Sequence, residues 1–132
     1  MIPNWERNTN LGNIGATKGG TGITSTIANN TTVNVEQMTL TPGLWIVFGK
    51  VFYPSNSTGR RYVAISGKGQ QSVQACSSGT TALTTSWFFN VTSNTTIYLQ
   101  AFQTSGGSLV LTEKNFDAVR IKWNLYLSST NE

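Results

Sequence analysis

An all-β sandwich is the fold this sequence predicts, and three observations predict it. Short runs of β-branched and aromatic residues recur at roughly eight to twelve residue spacing, divided by Gly, Ser, Asn and Thr. No window sustains a helical period, because β-branched and Asn/Thr residues interrupt every candidate. The stretch Thr41 to Pro54, TPGLWIVFGKVFYP, is apolar on both alternating sets: Trp45, Val47 and Val51 on one, Leu44, Ile46, Phe48 and Phe52 on the other. A strand that covers one core and faces water alternates apolar with polar. Without helices to supply cover, a second sheet must take one face, and another copy of the chain is expected on the other.

The elements follow in order. Residues 1–32 are Gly/Asn/Thr-rich with isolated apolar positions, Trp5 among them, and read as a connector or neck that cannot bury enough surface to fold alone. Within it TKGGTGIT, Thr17 to Thr24, fits a flexible linker and also resembles the KGGTG runs in the connecting parts of bacteriophage tail-fibre proteins. Residues 33–127 read as the head domain and 128–132 as a tail. Val33 and Val35 open a strand leading through Pro42-Gly43 into the central one. SNSTGRR is a turn by composition, RYVAIS a strand, GKGQQ a connection and Ser72 to Cys76 a weak strand. Ala82 to Val91 places Trp87 and Phe89 on one face, and Thr96 to Gln103 follows Asn94-Thr95. After Leu109 to Thr112 the last strand, Ala118 to Leu127, sets Val119, Ile121 and Trp123 against Arg120 and Lys122. The expected core is therefore Trp45, Val47, Val51, Trp87, Phe89, Ile121 and Trp123.

Composition narrows the function classes. The chain has 132 residues, enough for one cored domain, yet only 11% are charged, against about 25% in a usual soluble domain. Thr, Asn and Ser carry the polarity instead. The net charge of +4 is scattered, with only Arg60 and Arg61 adjacent, so nucleic acid is not an expected partner. No apolar run reaches the roughly 18 residues of a membrane span, so no membrane insertion is expected. The opening MIPNWERNTN lacks the apolar centre of a secretory signal. The single cysteine, Cys76, is expected to be a small buried hydrophobe. With no histidine and Asp117 the sole aspartate, nucleophilic, metal and glycosidase templates lack parts, and no enzyme, cofactor or metal is expected.

Three segments resemble C1q/TNF-like jelly rolls. PGLWIVFGKVFY is similar to the family's PGxYxF strand, with Trp45 for Tyr and Val47 for Phe. SWFFNVTSNTTIYLQAF, Ser86 to Phe102, resembles its pair of strands around a Gly-Asp turn, keeping Tyr98-Leu99-Gln100 but carrying Asn94-Thr95 at the turn. FDAVRIKW sits where the FxGFxx strand is expected, with Ala118 for Gly. The resemblance spans Val33 to Leu127 and implies a ten-strand antiparallel jelly roll, homotrimeric, with one sheet turned to the threefold axis. It implies that Leu44, Ile46, Phe48, Phe52, Tyr98 and Phe102 meet neighbouring subunits. Some members bind calcium at the trimer apex, but the 5 acidic residues here form no cluster in sequence.

These features lead to a virion protein: the tip of a phage tail fibre or baseplate, released by lysis, joined to other virion proteins through its N-terminal segment, and binding a host-surface glycan. Tyr53, Asn56, Arg60, Arg61, Gln70 and Gln71, with Trp5, are the candidate sugar contacts, offering aromatic faces and planar polar groups on turns. The alternatives are a head-fibre or decoration protein without a ligand, and a secreted C1q-like binding protein.

Overall fold

The computed structural model describes residues 15–122, all in strands and turns. Eleven strands run in chain order: β1 Thr17–Gly19, β2 Thr21–Gly22, β3 Thr26–Ile27, β4 Val33–Leu40, β5 Gly43–Tyr53, β6 Arg60–Ile65, β7 Lys68–Gln74, β8 Thr81–Val91, β9 Thr95–Gln103, β10 Leu109–Val110 and β11 Glu113–Lys122. They form a four-stranded sheet, β1-β11-β5-β8, and a five-stranded sheet, β2-β4-β9-β6-β7, while β10 pairs with β3. Every pairing is antiparallel. Because the chain passes repeatedly between sheets, β5 lies between β8 and β11, and β9 between β4 and β6. That wrapping is a jelly-roll sandwich.

β5 carries its two apolar sets on opposite sides of its sheet. Its odd residues Trp45, Val47, Val51 and Tyr53 are buried between the sheets, whereas its even residues lie on the outer side, with Phe48 49% exposed. From the opposite sheet Ile97, Leu99 and Ala101 of β9 and Val63 and Ile65 of β6 meet the odd set. Gly49 stands among them because a Cβ there would lie 2.5 Å from Leu99 Cδ1. Leu99 is itself fully buried, so it has little room to yield.

Several elements differ from expectation. Within the 1–32 connector, β1 pairs with β11 and β2 with β4, so TKGG crosses from one sheet to the other along the sandwich edge. Backbone ladders, not apolar mass, hold it there. Gly20, at the crossing, has no room for a side chain: a Cβ would sit 2.6 Å from Glu36 Oε1 and 2.8 Å from Phe116 Cβ. The GKGQQ connection is instead mostly strand β7, joined to β6 by Ser66 and Gly67 at φ 46° and 79°, the backbone of a two-residue hairpin.

The last strand begins at Glu113 and turns its other face inward: Phe116, Ala118 and Arg120 are buried. Ile121, expected in the core, is 45% exposed and sits where the ladder skips from Arg120 to Lys122. Trp87 keeps the inward register with Phe89, opposite Val47, but remains 39% exposed, so it is not core either. Phe89 is half-buried against the core. Cys76 is exposed, its Sγ donating to the Ser78 carbonyl. Trp5, Trp123 and the 128–132 tail lie outside the described residues.

Substituting Gly49→Ala should cost about 1–3 kcal/mol in urea unfolding, because an added methyl overpacks the sheet interface. Combining it with Leu99→Val should cost less than the two single changes together, since the contacting atom is removed.

Candidate functional site

Of the six candidate sugar contacts, Tyr53, Asn56 and Arg61 come together, but in the interior and the turn that closes it, while Arg60, Gln70 and Gln71 stand apart from them. Tyr53 and Arg61 are fully buried and perform internal work. The Tyr53 hydroxyl crosses from one sheet to the other, donating to the Tyr62 carbonyl at 2.6 Å and accepting the Phe102 N–H at 3.2 Å. Arg61 spreads its guanidinium over the turn after β5, donating to the carbonyls of Thr58 at 2.7 Å and Asn56 at 2.8 Å, and lies 5.7 Å from the Tyr53 ring centre. Burial lowers its pKa, with Tyr53 opposing the shift. Asn56 is consumed in the same turn: its side-chain oxygen accepts the Thr58 N–H at 2.9 Å. Arg60, Gln70 and Gln71 are exposed. Long polar tips made Tyr53 and Arg61 read as surface groups, but each finds its partners inside.

The six expected subunit contacts divide between two opposite faces. Leu44, Ile46, Phe48 and Phe52 lie on the outer side of the four-stranded sheet, but Tyr98 and Phe102 belong to β9 and lie on the outer side of the five-stranded one. Periodicity shows which residues share a face of a strand, not which sheet the strand joins. The structure adds members the sequence reading left out. Ile46 is flanked by Phe88 across β8 and by Val119 across β11, and Phe88 is 58% exposed. Trp87 stacks on Phe88 with ring centres 5.7 Å apart. The face changes character beyond Phe48: Lys50 pairs with Glu113 at 2.9 Å and sits 5.0 Å over the Phe52 ring. There Asn115 and Asp117 border a hollow of about 670 Å³.

The five-stranded sheet has a different outer surface. Tyr62 and Phe102, directly paired across β6 and β9, meet edge to face with centres 5.1 Å apart at 75°. Beside them Gln100 is locked, accepting the Gly67 N–H at 2.8 Å and donating to Asn34 Oδ1 at 3.1 Å. These groups and Gln70 border a hollow of about 410 Å³ whose lining carries no charged side chain, within the ~300–1,000 Å³ common for small-molecule sites.

Solved structures to which the chain is similar include the Eiger TNF of S. frugiperda, with 10% identity over 79% of this chain and 90% of that one at a TM-score of 0.48. Two others are the C-terminal CBM6 of the laminarinase LamC from Zobellia galactanivorans (12% identity, 79% and 90% covered, TM-score 0.38) and the CBM35 of Abf62 from Cellvibrio japonicus (11%, 80% and 90%, 0.38). No protein-family model matches the chain, and no curated protein sequence does.

Two buried groups are electrostatically unusual. Burial pushes the Glu36 carboxyl above the usual range, Lys114 pulls it back and Asp117 adds to the rise. Among the described residues no three His, Cys, Asp or Glu side chains gather as a metal site. Burial also pushes the Tyr53 hydroxyl from 10.0 up to about 12, against the Phe102 N–H it accepts and the nearby Arg61, which favour the anion.

A phenol whose folded pKa is raised contributes stability that is complete below its unfolded value and is lost as pH climbs through the folded one. Stability should therefore fall between pH 10.0 and about 12 as the folded protein resists ionising Tyr53. Tyr53→Phe should unfold about 1–2 kcal/mol more easily at pH 7, where two buried backbone groups lose their partner, and should show a shallower alkaline decline in circular dichroism.

Proposed function

We propose that this chain is a homotrimeric attachment module of a virus particle, at the tip of a phage tail fibre or baseplate, holding a saccharide of the host surface. The observation that carries the reading is the open outer face of the four-stranded sheet, where Leu44, Ile46, Phe48, Phe88, Val119 and Ile121 form an apolar belt across β8, β5 and β11. An exposed apolar face of this kind marks an association surface. The C1q/TNF-like segments support a threefold arrangement with this sheet at the axis, since β5 contributes the PGLWIVFGKVFY motif and the belt together.

Each buried subunit face would contribute of order ten kcal/mol from apolar area before the costs of association. The polar end of the same face, with Lys50, Glu113 and Asp117, would complete the contact with charge pairs or retained water. A surface dominated by Thr, Asn and Ser suits a particle exposed outside the cell, and the KGGTG resemblance supports a fibre protein. In this reading the residues before β1 join other virion proteins.

Light scattering of the purified chain at micromolar concentration should give one species of three chain masses, and Phe48→Asp should give monomer or aggregate through a buried unpaired charge in each subunit. A soluble wild-type monomer would remove the trimer. Adsorption of the labelled trimer to host cells, competed by free oligosaccharide, tests the attachment role.

A further inference from the structure

Resting on the attachment reading, we propose that the saccharide site is the hollow outside the five-stranded sheet, and that it takes an uncharged hexose unit stacked in the Tyr62–Phe102 corner. The ring pair meets at 75°, so it forms an apolar angle and not a flat platform. A pyranose is matched to such an angle because one face of the ring presents only C–H groups while its rim carries hydroxyls. The rim would meet the amides. Gln100 is held by Gly67 and Asn34 with one N–H and one oxygen lone pair still to offer. Gln70 is exposed on the neighbouring strand, and Thr32 adds a hydroxyl on the other side.

Charge selects the class of sugar. No Lys, Arg, Asp or Glu side chain lines the hollow, so a carboxylate or sulfate entering it would lose water without gaining a counter-ion. Neutral hydroxyls exchange water for amide partners at little cost. The site is also held ready: the Tyr53 hydroxyl fixes the backbones of Tyr62 and Phe102 from inside, so the rings owe their spacing to the core. Because this face is opposite the apolar belt, a trimer closed on the belt would present three such sites outward and gain avidity on a repeated glycan.

The test uses the full chain on an array of neutral hexose oligosaccharides alongside sulfated and uronic-acid ones, with Tyr62→Ala and Gln70→Ala as variants. Wild type should bind neutral sugars, and each variant should bind them about tenfold or more weakly with unchanged light-scattering mass. The exposed Gln70→Ala keeps the test valid should Tyr62→Ala unfold. Wild type and both variants binding equally would place the site elsewhere while leaving attachment intact. Binding confined to sulfated or uronic-acid sugars would overturn the neutral pocket. Failure of wild type to bind any sugar or host cells would remove the attachment reading and the pocket with it.

Discussion

The constraint on which the structure depends is the two-sided demand on β5. It is paired along its length on both edges, to β8 and to β11, so its register is set by two ladders at once. A slip of one residue would exchange Trp45, Val47, Val51 and Tyr53 for Leu44, Ile46, Phe48 and Phe52. In most sheets such a slip is opposed because it buries polar groups. Here both sets are apolar, so hydrophobicity alone does not choose between them. Shape and polar tips do: Gly49 yields space to Leu99, Trp45 Nε1 reaches the Thr41 carbonyl at 2.7 Å, and the Tyr53 hydroxyl finds the opposite sheet.

The same logic explains the polar groups in the interior. Arg61, Gln103 and Arg120 are buried. Each binds main chain, ring or hydroxyl. Gln103 ties Ile27 to Gly107, donating to their carbonyls at 2.8 and 2.7 Å. Arg120 lies 5.0 Å from the Trp45 ring centre and donates to the Thr41 hydroxyl. Taking such groups from water is costly unless their hydrogen bonds are replaced, and these replacements fall at the ends of strands, where carbonyls lack ladder partners. The polar core groups thus stitch the turns of a fold that has few charges to stitch them outside.

This also marks what was legible in the sequence. The sandwich, β5 with its two apolar sets, and the inward placement of Trp45, Val47 and Val51 follow from alternation and turn chemistry. Alternation failed in β11 because the inward position opposite Trp45 is Arg120, a residue whose charge reads as surface. Its neighbours Val119 and Ile121 therefore read as core. β1 and β2 escaped notice because they are held by backbone pairing, which leaves no trace in hydropathy. The hollow beside Tyr62 was invisible for a topological reason: Tyr62 and Phe102 are forty residues apart in sequence, and only the β6–β9 ladder brings them together. The one sequence sign is the alternation of Tyr98, Gln100 and Phe102, of which the family resemblance assigns Tyr98 and Phe102 to a subunit contact.

The two outer surfaces of the sandwich have opposite chemistry, and that asymmetry limits how the molecule can assemble. The four-stranded sheet presents branched and aromatic side chains that water disfavours, whereas the five-stranded sheet presents amides, hydroxyls and a ring pair already packed edge to face. Closing the first surface on copies of itself removes the larger unfavourable area. Closing the second would instead cover groups that water already satisfies, gaining little. The proposed assembly on the first surface would therefore leave the aromatic-amide hollow open. Tyr53 connects the two sides: it stands on the strand that carries the belt and holds from within the two residues that shape the hollow. A change in how β5 packs would be felt at the opposite surface through one hydroxyl.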